Sequence, residues 1–367
     1  MFTLHRCILA LAALRGVFSA SLLSKKCTVD RSNLTVALIR TPPPNWPLPI
    51  TNYDYTGITF NISETVDSGI KLINEAKGQG SDLVVFPELW FPGCSIKMIN
   101  TLMDRFPKGS DSHYNFTRDY LPSYIDNAIV IGDIQWNRLI DAIRAARIYA
   151  NLNFAEVDGD FMYMSQALVD PKGQVLHHRR KLRPSGAERF FFSDGTTDGL
   201  KVVKTDYGRW GMLECGDMTF NMYVQREHVH LAPFPYLADT EDNTSLWWEN
   251  EWINTGTVSV YSVLSGAYSF VPAIGASFVT NPFGTRVAHI SANASFNEHP
   301  MLYYSFNTSG FDDSVTYNVD GQASWGTLSQ IVDSFPQGVP KVEGDFVKHK
   351  SNSIKYLKSG QLTIPSY

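Results

Sequence analysis

Three residues in this sequence combine chemistry with an unusual setting: Glu88 in "VVFPELW", Lys181 closing "HHRRK", and Cys215 in "GMLECGDM". A carboxylate directly after an apolar run and a proline is costly to bury unless it is paired or used as a base. Cys215 has three roles open to it: nucleophile, core thiol or half of a disulfide. A thiol becomes a strong nucleophile when a base takes its proton and a nearby ammonium or helix N-terminus stabilises the thiolate. Each residue also has an ordinary explanation. Glu88 can be an ion-paired cap, Lys181 part of a solvated basic face, and Cys215 a buried thiol.

All three fall at predicted strand ends, so the elements that carry them matter. "LTVALIR" (34–40) and "DLVVFP" (82–87) read as buried strands, the second stopped by Pro87. Between them, "SETVDSGIKLINEAKGQG" (63–80) predicts a helix, with Ser63 as N-cap, Val66, Ile70, Ile73 and Ala76 at helical spacing, and Gly78 and Gly80 at its end. "NRLIDAIRAARIYANL" (137–152) predicts a second amphipathic helix. "FAEV", "FMYMSQALVD" and "QVLHHRR" follow as adjacent antiparallel strands, separated by Asp-Gly and Pro-Lys-Gly turns. "YGRWGMLEC" predicts a strand ending at Cys215, with Asp217 opening a helix after it. "HVHLAPFP" and the strand-turn-strand "SFVTNPFGTRVA" complete a pattern of one α/β domain with antiparallel or mixed sheets.

Composition bounds the partners. A chain of 367 residues, 44% hydrophobic and 13% aromatic, can bury a large core. A net charge of -5 without any block of like charge gives no electrostatic case for nucleic acid or a membrane surface. His5 and Arg6 precede an apolar stretch from Cys7 to Leu14 and small residues near Ala20, which reads as a signal peptide over residues 1–20, too short to span a bilayer. Six Asn-x-Ser/Thr sites (Asn33, Asn61, Asn115, Asn243, Asn293 and Asn307) agree with a secreted, glycosylated protein. Removal of the signal leaves Cys27, Cys94 and Cys215, and Cys27 with Cys94 is the natural disulfide if Cys215 stays reduced. His177, His178, His228 and His230 have no spacing that suits zinc, and no metal is expected. Trp247, Trp248 and Trp252 suit either a substrate mouth or a subunit interface.

In this order and at these separations, "FPE", "HRRKLRPSGAER" and the Cys215 turn resemble the nitrilase superfamily of carbon-nitrogen hydrolases. The resemblance extends over about residues 34 to 290 and includes "NPFGTRVA". It implies an α-β-β-α sandwich and a hydrolase without a cofactor. Glu88 matches the family's general base, Lys181 its cationic stabiliser, Cys215 its nucleophile and Glu188 its second, substrate-positioning glutamate. The backbone of Gly216 would serve the oxyanion. By this reading residues 31–307 are the hydrolase domain, and 308–367 an extension packing on the body or on a partner subunit of a homo-oligomer. The implied reaction is nitrile to carboxylic acid plus ammonia. The family's nitrilase branch reads Ile-Cys-Trp-Glu at the nucleophile, whereas this chain reads Glu214-Cys215-Gly216-Asp217, closer to the amidase branches. An amidase acting on a small carboxamide is therefore the alternative, and an inactive secreted glycoprotein that keeps the fold is a third. Glu214 should face away from Cys215 if the strand persists to the corner.

Overall fold

"NLTVALI" forms β1 (Asn33–Ile39), and its side chains divide between two cores. Leu34, Val36 and Leu38 join one cluster while Ala37 and Ile39 join another, as the two-residue period of a strand requires. A strand buried on both faces needs a layer on each side, and the rest of the chain supplies them.

The structure is a computed structural model that describes residues 31–44, 46, 59–93, 118, 120–219, 226–242, 245, 247–309, 311 and 349–362. After β1 come α1 (Ile62–Gly78), β2 (Leu83–Val85), α2 (Leu121–Asp126), α3 (Ile134–Ala146), β3 (Tyr149–Asp158), β4 (Phe161–Val169) and β5 (Val175–Arg180). They are followed by β6 (Val203–Thr205), β7 (Gly208–Met212), β8 (Val229–Leu231), β9 (Tyr236–Leu237), α4 (Glu251–Ser265), β10 (Tyr268–Val271), β11 (Ile274–Gly275) and β12 (Ser277–Thr280). β13 (Arg286–Ile290), β14 (Met301–Asn307) and the short α5 (Ile354–Leu357) complete the order.

The first sheet runs β14-β1-β2-β3-β4-β5 and the second β13-β12-β10-β8-β7-β6. Both are mixed. β1, β2 and β3 are parallel neighbours, as are β7, β8 and β10, and the flanking pairs are antiparallel. Leu38, Val85 and Leu168 from one sheet meet Trp210, Leu231, Phe270 and Val279 from the other between the layers. α1 and α3 cover the first sheet through Val66, Ile73, Leu139 and Ile143, and α4 covers the second through Val258 and Tyr261. The architecture is the expected α-β-β-α sandwich. Among the described residues, no helix is long and apolar enough to cross a membrane.

Two boundaries differ from the sequence reading. α1 is capped by Asn61, whose side chain accepts from Glu64 N at 3.3 Å, rather than by Ser63. α3 begins earlier, with the Asp133 side chain accepting from Trp136 N at 2.7 Å, and it ends at Ala146. Arg147 adopts a left-handed φ of 52°, and "YANL" becomes the start of β3, paired with β2 from Leu83↔Tyr149 onward. The helical spacing of those apolar residues yields to a strand slot that buries them on both faces.

Alternation also divides the basic run. His177, Arg179 and Lys181 are buried, while His178 and Arg180 face outward and meet Glu156. Burial alone would raise the Glu156 carboxyl, but hydrogen bonds from His178, Arg180 and Ser165 outweigh it and hold the group at about 2. A carboxyl depressed in the folded state stabilises the fold above its unfolded value, and that stabilisation is lost as pH falls through the folded one. Glu156→Gln should therefore cost about 2 kcal/mol at neutral pH, allowing for partly exposed partners. The gap to the native protein should close between about pH 4.5 and about pH 2 in urea titrations.

Candidate active site

Glu88, Lys181, Glu188 and Cys215 come from both sheets and meet where the strand ends converge. β2 runs through Phe86 and Pro87 into Glu88, whose N–H donates to Phe234 O at 3.3 Å in the segment after β8. Cys215 N donates to Pro233 O at 3.1 Å in that same segment. β5 delivers Lys181, whose N–H continues the ladder to Met164 O at 2.8 Å. The segment 182–195 then returns over the site, and Gly195 N donates to Lys181 O at 2.9 Å. Residues 349–362 brace this segment from outside, with Asn352 Nδ2 donating to Arg189 O at 3.0 Å and Phe192 O at 2.9 Å.

Lys181 Nζ donates to Glu88 Oε1 at 3.1 Å and to Glu188 Oε2 at 2.9 Å, and all three side chains are buried. Glu188 Oε2 also accepts from Ser185 N at 2.7 Å, which fixes the loop to the lysine. Glu88 Oε2 has no hydrogen-bond partner among the described residues, so it is open to a proton. Burial works against the ammonium, yet the Glu188 and Glu88 carboxylates hold Lys181 well above its ordinary value. Burial likewise raises Glu88 well above the usual carboxylate range, against the pull of Lys181 and with Glu214 and Glu188 adding to it.

Cys215 is half-buried and begins a 3-10 turn, Cys215–Thr219. Its φ of 44° lies in the left-handed region, a strained backbone of the kind that active sites retain when the surroundings impose it. The sequence suggested a thiolate eased by a helix N-terminus. Instead, burial and then the Glu88 carboxylate push the thiol well above its ordinary value, opposed by Lys181 and the Gly216 N–H. A thiol raised in this way needs a base before it can attack. Asp217 lies within the 3-10 turn, where its carboxylate binds the buried Arg179 guanidinium and accepts from Leu182 N at 2.8 Å. The residues that a helix after it would begin with lie outside the described residues. Arg179 and Asp217 were not singled out as a pair from sequence, although every second residue of β5 turning inward would have pointed to Arg179.

A family model described as carbon-nitrogen hydrolase matches residues 35–295. The chain belongs to the carbon-nitrogen hydrolase family. The hydrolase is 32% identical over 304 residues to a cyanide hydratase of Botryotinia fuckeliana (strain T4), a match covering 79% of this chain and 76% of that protein. A cyanide hydratase of Stereum hirsutum (strain FP-91666) is 34% identical over 206 residues, 53% of this chain, and one of Aspergillus niger 30% over 226 residues, 58% of this chain. The hydrolase spans about half the length of those two, 52% and 59%. Among solved structures, an amidase from Nesterenkonia sp. superposes with a TM-score of 0.53 at 16% identity, over 81% of this chain and 98% of its own. At that identity the likeness speaks for the fold alone.

The other sequence candidates fall elsewhere. Asn33, Asn61, Asn293 and Asn307 are exposed, while Asn115, Asn243, Cys27 and Cys94 lie outside the described residues. His230 Nδ1 lies 3.0 Å from Glu227 Oε2, and Tyr261 of α4 donates to the same carboxylate, so this buried trio ties helix to sheet. No cluster suited to a metal occurs among the described residues. Trp252 is 69% exposed on α4, whereas Trp248 packs against a core cluster.

A side chain on Gly216 would crowd one atom, the Ser185 hydroxyl. A Cβ there would stand 2.6 Å from Ser185 Oγ but 3.8 Å from Ser185 Cβ. Gly216→Ala should therefore lower kcat/KM by about tenfold or more, since it displaces the loop that carries Glu188. Adding Ser185→Ala, which removes only the clashing oxygen, should restore most of the loss in a double-mutant cycle.

Proposed function

We propose that the hydrolase converts a nitrile to a carboxylic acid and ammonia through a covalent bond to Cys215. The observation that carries this reading is the buried Glu88–Lys181–Glu188 constellation at the strand ends where Cys215 sits on left-handed backbone. Likeness to cyanide hydratases supports a nitrile as the substrate.

The chemistry runs in balanced steps. Glu88 Oε2 accepts the thiol proton as Sγ attacks the nitrile carbon, and that proton passes to nitrogen, giving a thioimidate. Lys181 Nζ and the Gly216 N–H stabilise negative charge on that nitrogen, and later on oxygen. As water then adds to the thioimidate carbon, Glu88 takes a proton from it and passes that proton to nitrogen. The tetrahedral adduct carries one OH and one NH2, and its collapse decides the product. Loss of the thiol would release an amide, the outcome that the name hydratase denotes. If Glu88 instead carries the adduct's hydroxyl proton to nitrogen, ammonia is expelled and a thioester remains, which a second water hydrolyses to the acid and free thiol. Burial keeps the Glu88 carboxyl's proton affinity high, which suits it to be the acid of that step. Glu188 holds Lys181 in place and, through Ser185, the loop beside Gly216.

Amide and ammonia should be measured side by side for a panel of small nitriles and carboxamides, with Cys215→Ala as control. Ammonia in step with acid from nitriles, and none from the alanine variant, is the expected result. Amide as sole product would replace hydrolysis by hydration, and turnover of carboxamides alone would make the protein an amidase. Silence on the whole panel with no adduct on Cys215 by intact mass would leave an inactive protein that keeps the fold. Export is part of the proposal. It rests on the residue 1–20 pattern and on exposure of the four described sequon asparagines, and an endoglycosidase mass shift on the secreted chain tests it.

A further inference from the structure

Directly before the nucleophile, Glu214 lies wholly buried, and neither of its carboxyl oxygens has a hydrogen-bond partner among the described residues. β7 ends at Met212, so strict strand alternation no longer governs this position. The side chain reaches Arg179 of β5, whose Nη1 stands 3.8 Å from Glu214 Oε1. That guanidinium is already engaged, bound closely to Asp217 and donating to Gln166 Oε1 at 2.6 Å.

The groups that face Glu214 come from every element packed against it. Arg179 arrives on β5 and Lys181 directly after it, Asp217 on the 3-10 turn, Glu188 on the returning loop, and the charge of Glu214 acts in turn on Glu88 after β2. The described cluster thus sets two cations against four carboxyls, and Glu214 is the carboxyl without a donor. An extra buried carboxyl in such a cluster is held neutral, or repels every other negative charge that the reaction needs.

We propose that Glu214 is a positioning residue of this centre, whose charge, set against Arg179 and Lys181, governs how tightly the Glu88–Cys215 pair holds its shared proton. Burial first, then Asp217 and Glu188, raises the Glu214 carboxyl to about 7 against the pull of Lys181 and Arg179. Above that pH its ionised form repels the negative charge left on Glu88 and Cys215. Both limbs of the native activity profile accordingly lie higher in pH than the triad alone would place them. A centre of this kind sharpens the proposed hydrolysis by keeping a proton available for the leaving nitrogen. The inference rests on Cys215 and Glu88 acting as a pair, but not on the substrate being a nitrile.

The test is the pH dependence of Cys215 alkylation by iodoacetamide, located by peptide mass, in the full chain and in Glu214→Gln, Glu214→Leu and Glu214→Asp. The expected result is a midpoint at least about 0.5 pH unit lower in the Gln and Leu variants, with Asp within about 0.2 unit of native. Superimposed midpoints overturn the proposal, however far stability falls. So does failure of both neutral variants to fold while Glu214→Asp folds, because the side chain is then structural. A native Cys215 that resists alkylation at every pH overturns it together with the nucleophile assignment. A shifted midpoint in a protein that turns over no nitrile upholds it and overturns the substrate alone.

Discussion

Glu88→Gln should lower kcat/KM on the best nitrile about a thousandfold while leaving the thermal midpoint within about 2 °C of native. Glutamine keeps the volume and an oxygen that can accept from Lys181, now 3.1 Å from Glu88 Oε1. It cannot take a proton from a thiol that its surroundings hold in the protonated form. The fold tolerates the change because Glu88 is one of four buried carboxyls beside two cations, so removing one charge brings the cluster nearer balance. Residual activity should climb with pH by about tenfold per unit, as solvent hydroxide replaces the missing base. A variant that retains native kcat/KM would remove Glu88 from the chemistry. One that loses both activity and midpoint would make its role structural.

How legible this centre was in the sequence differs from residue to residue. Glu88, Lys181 and Cys215 stood out because each is a charged or nucleophilic residue placed where an apolar strand stops, whereas Glu188, in the 3-10 turn Gly186–Phe190, was marked only by the family resemblance. Strand and helix spacing alone led to one α/β domain with antiparallel or mixed sheets, and the sandwich came from the family resemblance. Runs such as "VALI", apolar on both faces, fit its two covering layers. What local patterning hid was tertiary competition. "YANL" continues a helical period yet opens β3, because pairing beside β2 buries it more fully. The basic run looked like a solvated face, but His177, Arg179 and Lys181 turn inward, and the carboxylate partners of Arg179 and Lys181 lie between seven and ninety-three residues away. The crowding of Ser185 against Gly216 depends on two loops meeting, and no spacing rule along one chain reveals that.

Lys181→Met should cost both activity and stability, and pH separates the two. Its ammonium is the cation that Glu88 and Glu188 share, at 3.1 Å and 2.9 Å. Removing one partner from such a buried group strands the others, which typically costs about 3–5 kcal/mol. Loss of the donor facing the reacting nitrogen should add about a hundredfold to a thousandfold in kcat. The sign of the pH dependence follows from proton counts. Glu88 already binds its proton more tightly folded than unfolded, and without Lys181 that difference grows. The folded variant therefore carries more protons than its unfolded chain above about pH 4.5, and its stability falls as pH rises. Lys181 itself, raised in the folded state, contributes stability that is fully present below its unfolded value, so the native protein keeps this contribution through neutrality. Urea titrations at about pH 5 and about pH 8 should show the gap between variant and native narrowing at the lower pH. A gap of constant size would mean that the ammonium does not balance these carboxyls. Activity should not return at the lower pH, because protonating Glu88 relieves the stranded charge and in the same step takes the base away from Cys215.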